Sequence, residues 1–351
     1  MKARTFDIGD AVTFFFKRFG EKPAGGLWIM LWQMLANIAV AAAFFFFMGP
    51  VMLGLIGLAE LEQTGRLDGE VSLSMLWEMV GPFFTTLPLL TLFGLVAAVA
   101  IHAAWLRFLA RGEVAAFIPL RFGGDEFRLL GVAILFVALL AVGGMAMSFV
   151  FALIAGVSMT TIMVADLSPA SMFGAGVLML IAGLTYAAIV VFVLVRLSPA
   201  FALSFYDRRF RFFEAWDASA GRFWPMLFSY VLVKFMIMVI ASALVGFIVL
   251  ASIGALMPLG MELEALSQGA REPTAQEVFD VFMAGVAQPG VVIPFAVVVL
   301  LSGAMESVFM GMVHGVGAYA AITHRGANPG EETDAPTLGA GHAAGASPSE
   351  G

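Results

Sequence analysis

Leu129–Val195 reads LLGVAILFVALLAVGGMAMSFVFALIAGVSMTTIMVADLSPASMFGAGVLMLIAGLTYAAIVVFVLV, and its only formal charge is Asp166. Hydrocarbon about 30 Å thick takes ~20 apolar residues to cross as a helix. The stretch is long enough to cross twice. The polar patch Ser158–Ser171, which holds Asp166 and Pro169, marks the turn between the two crossings. The apolar residues run in blocks and do not alternate with polar ones. Barrel strands alternate over ~10 residues, so helices satisfy the backbone here.

The same reading extends outward. Leu27–Met48 carries no charge, and Phe83–Leu106 carries only His102. Phe235–Met261 is free of charge, and its span begins near Trp224 with Lys234 inside it. A last block from Val291 to Ile322 is interrupted by Glu306 and His314. The expectation is an all-α polytopic membrane bundle of six spans, near 27–48, 83–106, 129–157, 172–195, 224–256 and 291–322. Composition agrees: 61% of residues are hydrophobic and 12% charged, against about 25% charged in soluble domains. The first apolar block follows a long basic and aromatic leader, so a retained span is expected there and not a cleaved signal.

Lysines and arginines orient the spans. Fifteen fall in the leader, the second and fourth loops and the tail, two (Arg66, Arg271) fall in the other loops, and Lys234 lies in a span. Both ends are therefore expected in the cytoplasm of a bacterium, with the chain in its inner membrane. Residues 1–325 form one membrane domain. Residues 326–351, rich in Gly, Ala, Pro, Ser and Glu, form a tail expected to be disordered.

An internal repeat is expected between the first and third hairpins. Glu60-Leu61-Glu62 matches Glu262-Leu263-Glu264, Leu76-Trp77-Glu78 matches Val278-Phe279-Asp280, and Ser72 matches Thr274. Upstream, Asp10-Ala11 matches Glu214-Ala215 and Arg18-Phe19 matches Arg222-Phe223. Each unit has a short helix in its acidic outer loop, with Ser72 or Thr274 as N-cap. Thr274 and Glu277 have capping-box spacing.

Intramembrane polar residues are the candidates for function. An acid at the bilayer centre costs about 2.5–3.5 kcal/mol on insertion scales, so Glu306 needs an offset: an ion, proton or substrate, or a bond to a neighbouring helix. Lys234 pairs with Glu306 or snorkels to the headgroups. His314 and His102 complete the candidate polar site, as a proton relay or as imidazoles bonded to carbonyls. Their spacing does not support a metal site, and no cofactor is expected. Gln33 and Asn37 are expected to bond between helices. Gly303, Ser307, Gly311 and Gly315 recur every four residues, a row that admits a close helix and turns the half of the span bearing Glu306 toward protein. Pro88 and Pro294 are candidate span breaks.

Two segments have the pattern of helices lying in the headgroup layer. In 5–19, Ile8, Val12, Phe15 and Phe19 make an apolar stripe. In 206–224, Phe212, Trp216 and Phe223 accompany Arg208, Arg209, Arg211 and Arg222, candidate contacts to anionic lipid. Nucleic acid is not an expected partner, whereas membrane lipid is, and a homo-oligomer or a membrane partner protein is open. The sequence holds no HExxH, GxSxG, P-loop or His/Asp cluster and no cysteine, so no enzyme activity is expected.

The segment Arg196-Leu197-Ser198-Pro199-Ala200, with Asp207, Phe213-Glu214-Ala215-Trp216 and Gly221-Arg222-Phe223-Trp224, resembles a pattern in bacterial polytopic inner-membrane proteins. These are related to the membrane domain that accompanies some glycerophosphodiester phosphodiesterases. Pro119-Leu120-Arg121-Phe122-Gly123 with Asp125-Glu126-Phe127-Arg128 resembles an alphaproteobacterial variant. The resemblance implies a helical bundle linked to lipids, without phosphodiesterase activity because the catalytic barrel is absent. The resulting expectation is a non-enzymatic, lipid- or envelope-associated protein. The alternative is a small-molecule or ion transporter or channel that uses Glu306.

Overall fold

The computed structural model describes residues 5–63, 73–115, 117–120, 123–164, 169–268 and 273–326. Asp166, Arg66, Arg271, Ser72, Arg121 and the tail beyond Gly326 lie outside these residues.

Ten helices and no strand occur among the described residues: α1 (Ile8–Glu21), α2 (Pro23–Gln63), α3 (Leu73–Arg111), α4 (Gly124–Val164), α5 (Pro169–Leu197), α6 (Pro199–Tyr206), α7 (Glu214–Ala218), α8 (Phe223–Ser267), α9 (Ala275–Val286) and α10 (Pro289–His324). Six are long and apolar enough to cross a membrane, near 23–49, 83–111, 124–156, 176–206, 223–254 and 289–324. The chain is an all-α, multi-pass integral membrane protein. The 41-residue α2 and α4 are each about 60 Å long at 1.5 Å per residue, roughly twice the hydrocarbon thickness. They continue as helix well past the apolar blocks.

Proline does not break these spans. Pro88 and Pro294 lie inside continuous helix, so the breaks expected there are absent. Each sits in a long apolar helix whose other backbone bonds carry it through. Helix ends are set by local chemistry instead. Gly112 ends α3 at φ 67°; its N–H bonds the Phe108 carbonyl at 3.0 Å and the next N–H bonds that of Arg107 at 3.4 Å. Glycine adopts this left-handed conformation without a Cβ clash. At Thr274 the capping box forms: its hydroxyl accepts from Glu277 N at 3.2 Å, and the Glu277 carboxylate accepts from Thr274 N at 2.9 Å. The short helix that follows is α9. In the first hairpin the matching Leu76-Trp77-Glu78 belongs to α3, which continues unbroken into the span. The third hairpin breaks between them at Gln288-Pro289.

Side chains pack most tightly at the end of the bundle that carries the basic residues, called here the basic face. One core joins Phe15 of α1, Trp105 and Phe108 of α3, Leu129 of α4, Leu203 and Phe205 of α6, Phe212, and Met312, Val316 and Tyr319 of α10. Toward the other end large apolar side chains stand exposed, such as Phe46, Met145, Phe173 and Leu250. Exposed apolar side chains at span depth are what a hydrocarbon solvent accepts.

α10 is the hub of the bundle, touching α1, α2, α3, α6, α7, α8 and α9. Its row of small residues makes this possible. Gly303 receives Met34 of α2, while Gly311 and Gly315 receive Phe15 of α1. The close helix is therefore α1 as well as a span.

The apolar stripe of 5–19, expected to face the headgroup layer, packs on protein through Val12 and Phe15. α1 starts at Asp7, whose carboxylate accepts from Asp10 N at 2.8 Å, and buries Ala11, Val12, Phe14 and Phe15. The stripe meets protein at the glycine row, where Gly311 and Gly315 leave room for Phe15. On its outer side Lys17 bonds Asp10 at 2.6 Å, and that hydrogen bond raises the Lys17 pKa.

Segment 206–224 is also not one interfacial helix. It is a series of turns with only the five-residue α7, because ion pairs and Phe212, buried beside Phe136 and Phe201, fold it against the bundle. α6, just before it, is almost wholly buried. Pro199 opens α6 at a position where its missing N–H costs nothing.

Candidate functional site

Two sites emerge, one in the spans and one at the basic face. Asn37 of α2 and Glu306 of α10 meet between their helices: Asn37 Nδ2 donates to Glu306 Oε2 at 2.9 Å. They line a groove of ≈ 300 Å³ with Met34, Ile38, Ala41, Val298, Val299, Ser302 and Gly303. Ser307, next to Glu306, is fully buried, and its hydroxyl bonds the Gly303 carbonyl at 2.9 Å. Glu306 itself is exposed. The expectation that its half of the span faces protein therefore holds for Ser307, Gly311 and Gly315 and fails for Glu306. One residue is a turn of 100° on a helix, enough to move a side chain from the seam to the groove mouth.

The structure does not assemble the four expected polar residues into one cluster. Lys234 is exposed on α8, and no hydrogen bond or ion pair joins it to Glu306 among the described residues. His314 is eight residues from Glu306, about 12 Å along the helix. It meets His102 of α3 instead, with ring centroids 5.0 Å apart and planes at 79°. His102 Nδ1 lies 2.7 Å from the Ala98 carbonyl oxygen, so that nitrogen carries the proton. Among the described residues no group of three His, Cys, Asp or Glu is placed to hold a metal. Gln33 and Asn37 do bond between helices, Gln33 Oε1 accepting from Trp105 Nε1 at 2.7 Å.

The basic face holds a layer of paired charges. Arg107 and Glu126, each 2% exposed, form a buried ion pair between the end of α3 and the start of α4. Arg107 also donates to the Pro119 carbonyl at 3.2 Å. Arg111 bonds Asp125 at 2.9 Å and the Phe205 carbonyl, and its guanidinium lies 4.6 Å from the Phe205 ring centroid. Arg128 bonds Asp125 as well. A cavity of ≈ 460 Å³ opens here, lined by Arg107, Arg111, Arg128, Arg208, Asp125, Glu126, Gly123 and Gly124. Four guanidinium groups face two carboxylates in this lining.

Arg325, next to the end of α10, bonds Asp207 and Glu214. Arg211 pairs with the same two acids. Arg196 lies 4.6 Å from the Trp216 ring centroid and donates to Ser219 at 3.3 Å. Arg222 donates to Thr323 at 3.3 Å. Arg211 and Arg222, both candidate lipid contacts, are bonded to protein: Arg211 to acids of the folded-back segment and Arg222 to Thr323 of α10. Arg208 is more exposed and stands 3.6 Å from Glu113, and Arg209 is exposed.

No family model, curated protein or solved structure matches this chain. The motif residues are therefore read by what they touch. Arg196, Asp207, Glu214, Trp216 and Arg222 are the groups that clamp α5 to α8 onto the end of α10. Charge counting along the sequence misses this clamp because its contacts to Arg196, Arg222 and Arg325 join residues 20 to 118 apart. Glu126, nineteen residues from its partner Arg107, belongs to the separate α3–α4 layer, which periodicity alone does not reveal either.

Proposed function

We propose that this integral membrane protein is non-enzymatic and associates with lipid, holding an anionic phosphate headgroup in the arginine-lined cavity at the basic face. The carrying observation is that cavity, where four guanidinium groups face two carboxylates beside the first turn of α4. Guanidinium matches phosphate oxygens with paired donors. The start of a long helix adds N–H groups and a positive dipole end, and Gly123 and Gly124 let an anion approach the backbone. The cavity lies at the ends of two spans, the depth at which phospholipid phosphates lie.

The asymmetry of fifteen basic residues against two supports a bacterial inner membrane with the basic face and both ends in the cytoplasm. Exposed Phe117, Phe127, Phe213 and Trp224 near that face suit an interfacial belt.

Native mass spectrometry of the wild-type protein and of Arg128→Gln/Arg208→Gln in mild detergent tests the reading. An anionic phospholipid retained at fixed stoichiometry by the wild type and lost from the variant is the expected result. No retained lipid in the wild type, or equal retention in both, rejects it.

A second reading is a small-molecule or ion transporter or channel. The observation favouring it is Glu306, placed mid-span and open to its surroundings.

A further inference from the structure

The Glu306–Asn37 groove contains chemistry that helix packing does not use. Asn37 is fourteen residues from the start of α2 and Glu306 eighteen from the end of α10, about 21 and 27 Å along their helices. Both helices reach the basic face there, so the two side chains meet near the middle of the hydrocarbon. A headgroup phosphate does not reach that depth. Glu306 receives one hydrogen bond, on Oε2, and no lysine, arginine or histidine among the described residues pairs with it. An acid so placed calls for a partner carrying positive charge or donors.

The other groups in the groove narrow that partner. Asn37 spends an amide N–H on Glu306, which leaves its carbonyl oxygen to accept. Ser302 adds a hydroxyl, and Met34, Ile38, Ala41, Val298 and Val299 are apolar. A hard metal ion takes six to eight oxygens at short range, and three oxygen-bearing side chains around ≈ 300 Å³ do not supply them. The volume fits a small organic ligand. Glu306 offers carboxyl oxygens as acceptors, and an amine supplies the N–H donors to match them.

We propose that the groove between α2 and α10 binds an amphiphilic amine, its ammonium head on Glu306 and Asn37 and its apolar body against Met34, Ile38 and Val298, entering from the bilayer. The inference takes its location from the groove itself and deepens the transporter reading by naming a ligand class for the same site. Binding and passage are separate measurements: binding without flux in proteoliposomes keeps this inference and removes the transporter reading.

The test is NMR of methionine methyl groups in the full-length protein in nanodiscs, following Met34, whose signal is assigned with Met34→Leu. The probes are 1-adamantylamine and its neutral analogue 1-adamantanol. The amine is expected to shift the Met34 signal saturably, with at least tenfold weaker binding by the alcohol and by Glu306→Gln. Val298→Trp fills the groove without touching the carboxylate and is expected to abolish the shift while leaving the thermal transition in place. No saturable shift in the wild type, equal binding of amine and alcohol, or unchanged affinity in Glu306→Gln overturns the proposal and leaves Glu306 with a proton or Asn37 as its partner only.

Discussion

Phe15 occupies the space that a side chain at Gly311 would need: a Cβ built there would stand 2.3 and 2.6 Å from two atoms of the Phe15 ring. The Gly315 position is also in contact, 3.4 Å from the Phe15 backbone nitrogen. The N-terminal helix α1 is therefore held to the bundle by the absence of side chains on α10.

Gly311→Ala is expected to lower stability by about 1–3 kcal/mol, the usual range for overpacking a filled site. Thermal unfolding in detergent, followed through tryptophan fluorescence, reads the loss. Phe15→Ala/Gly311→Ala should lose less than the sum of the two single losses, because residues in contact do not add. Strict additivity in this cycle would show that the two positions do not meet.

The Arg107–Glu126 pair is buried on both sides. Glu126→Gln removes the carboxylate paired with a buried guanidinium, a change worth about 3–5 kcal/mol. Replacing both, as Arg107→Met/Glu126→Met, should restore much of that stability. A single variant as stable as the wild type would mean that water reaches the pair.

Thr274→Ala removes the hydroxyl that caps α9. A loss of about 1 kcal/mol is expected, confined to that helix. Hydrogen exchange should accelerate at Glu277 and its neighbours and stay unchanged in α10. Acceleration throughout the third hairpin would show that α9 and the spans unfold together.

The chain has no cysteine, so single cysteines report sidedness cleanly. Phe117→Cys, at a site 80% exposed near the basic face, should resist an impermeant thiol reagent in intact spheroplasts. Gln268→Cys, beyond α8 at the opposite end, should react. The reverse pattern places the basic face outside.

Much of this architecture is legible in the sequence. Blocks of apolar residues long enough to cross hydrocarbon specify helices, because backbone polar groups in lipid have no other partners. The Thr274 capping box is legible too, since both its bonds lie within three residues. The row Gly303–Ser307–Gly311–Gly315 announces a close approach without naming the partner.

What the sequence by itself determined is therefore the helical class, the six spans and the grouping of basic residues on one face. Those follow from local length, hydropathy and charge. Tertiary structure alone decided that Phe15 fills the glycine row, that Glu306 meets Asn37 and not Lys234, and that His314 meets His102. It also brought Arg196, Arg211 and Arg222 to acids and hydroxyls of the protein. Each of these depends on helix rotation and on pairing between residues distant in the chain. A shift of one residue turns a side chain by about 100°, and periodicity among uniformly apolar helices carries no phase to fix that angle.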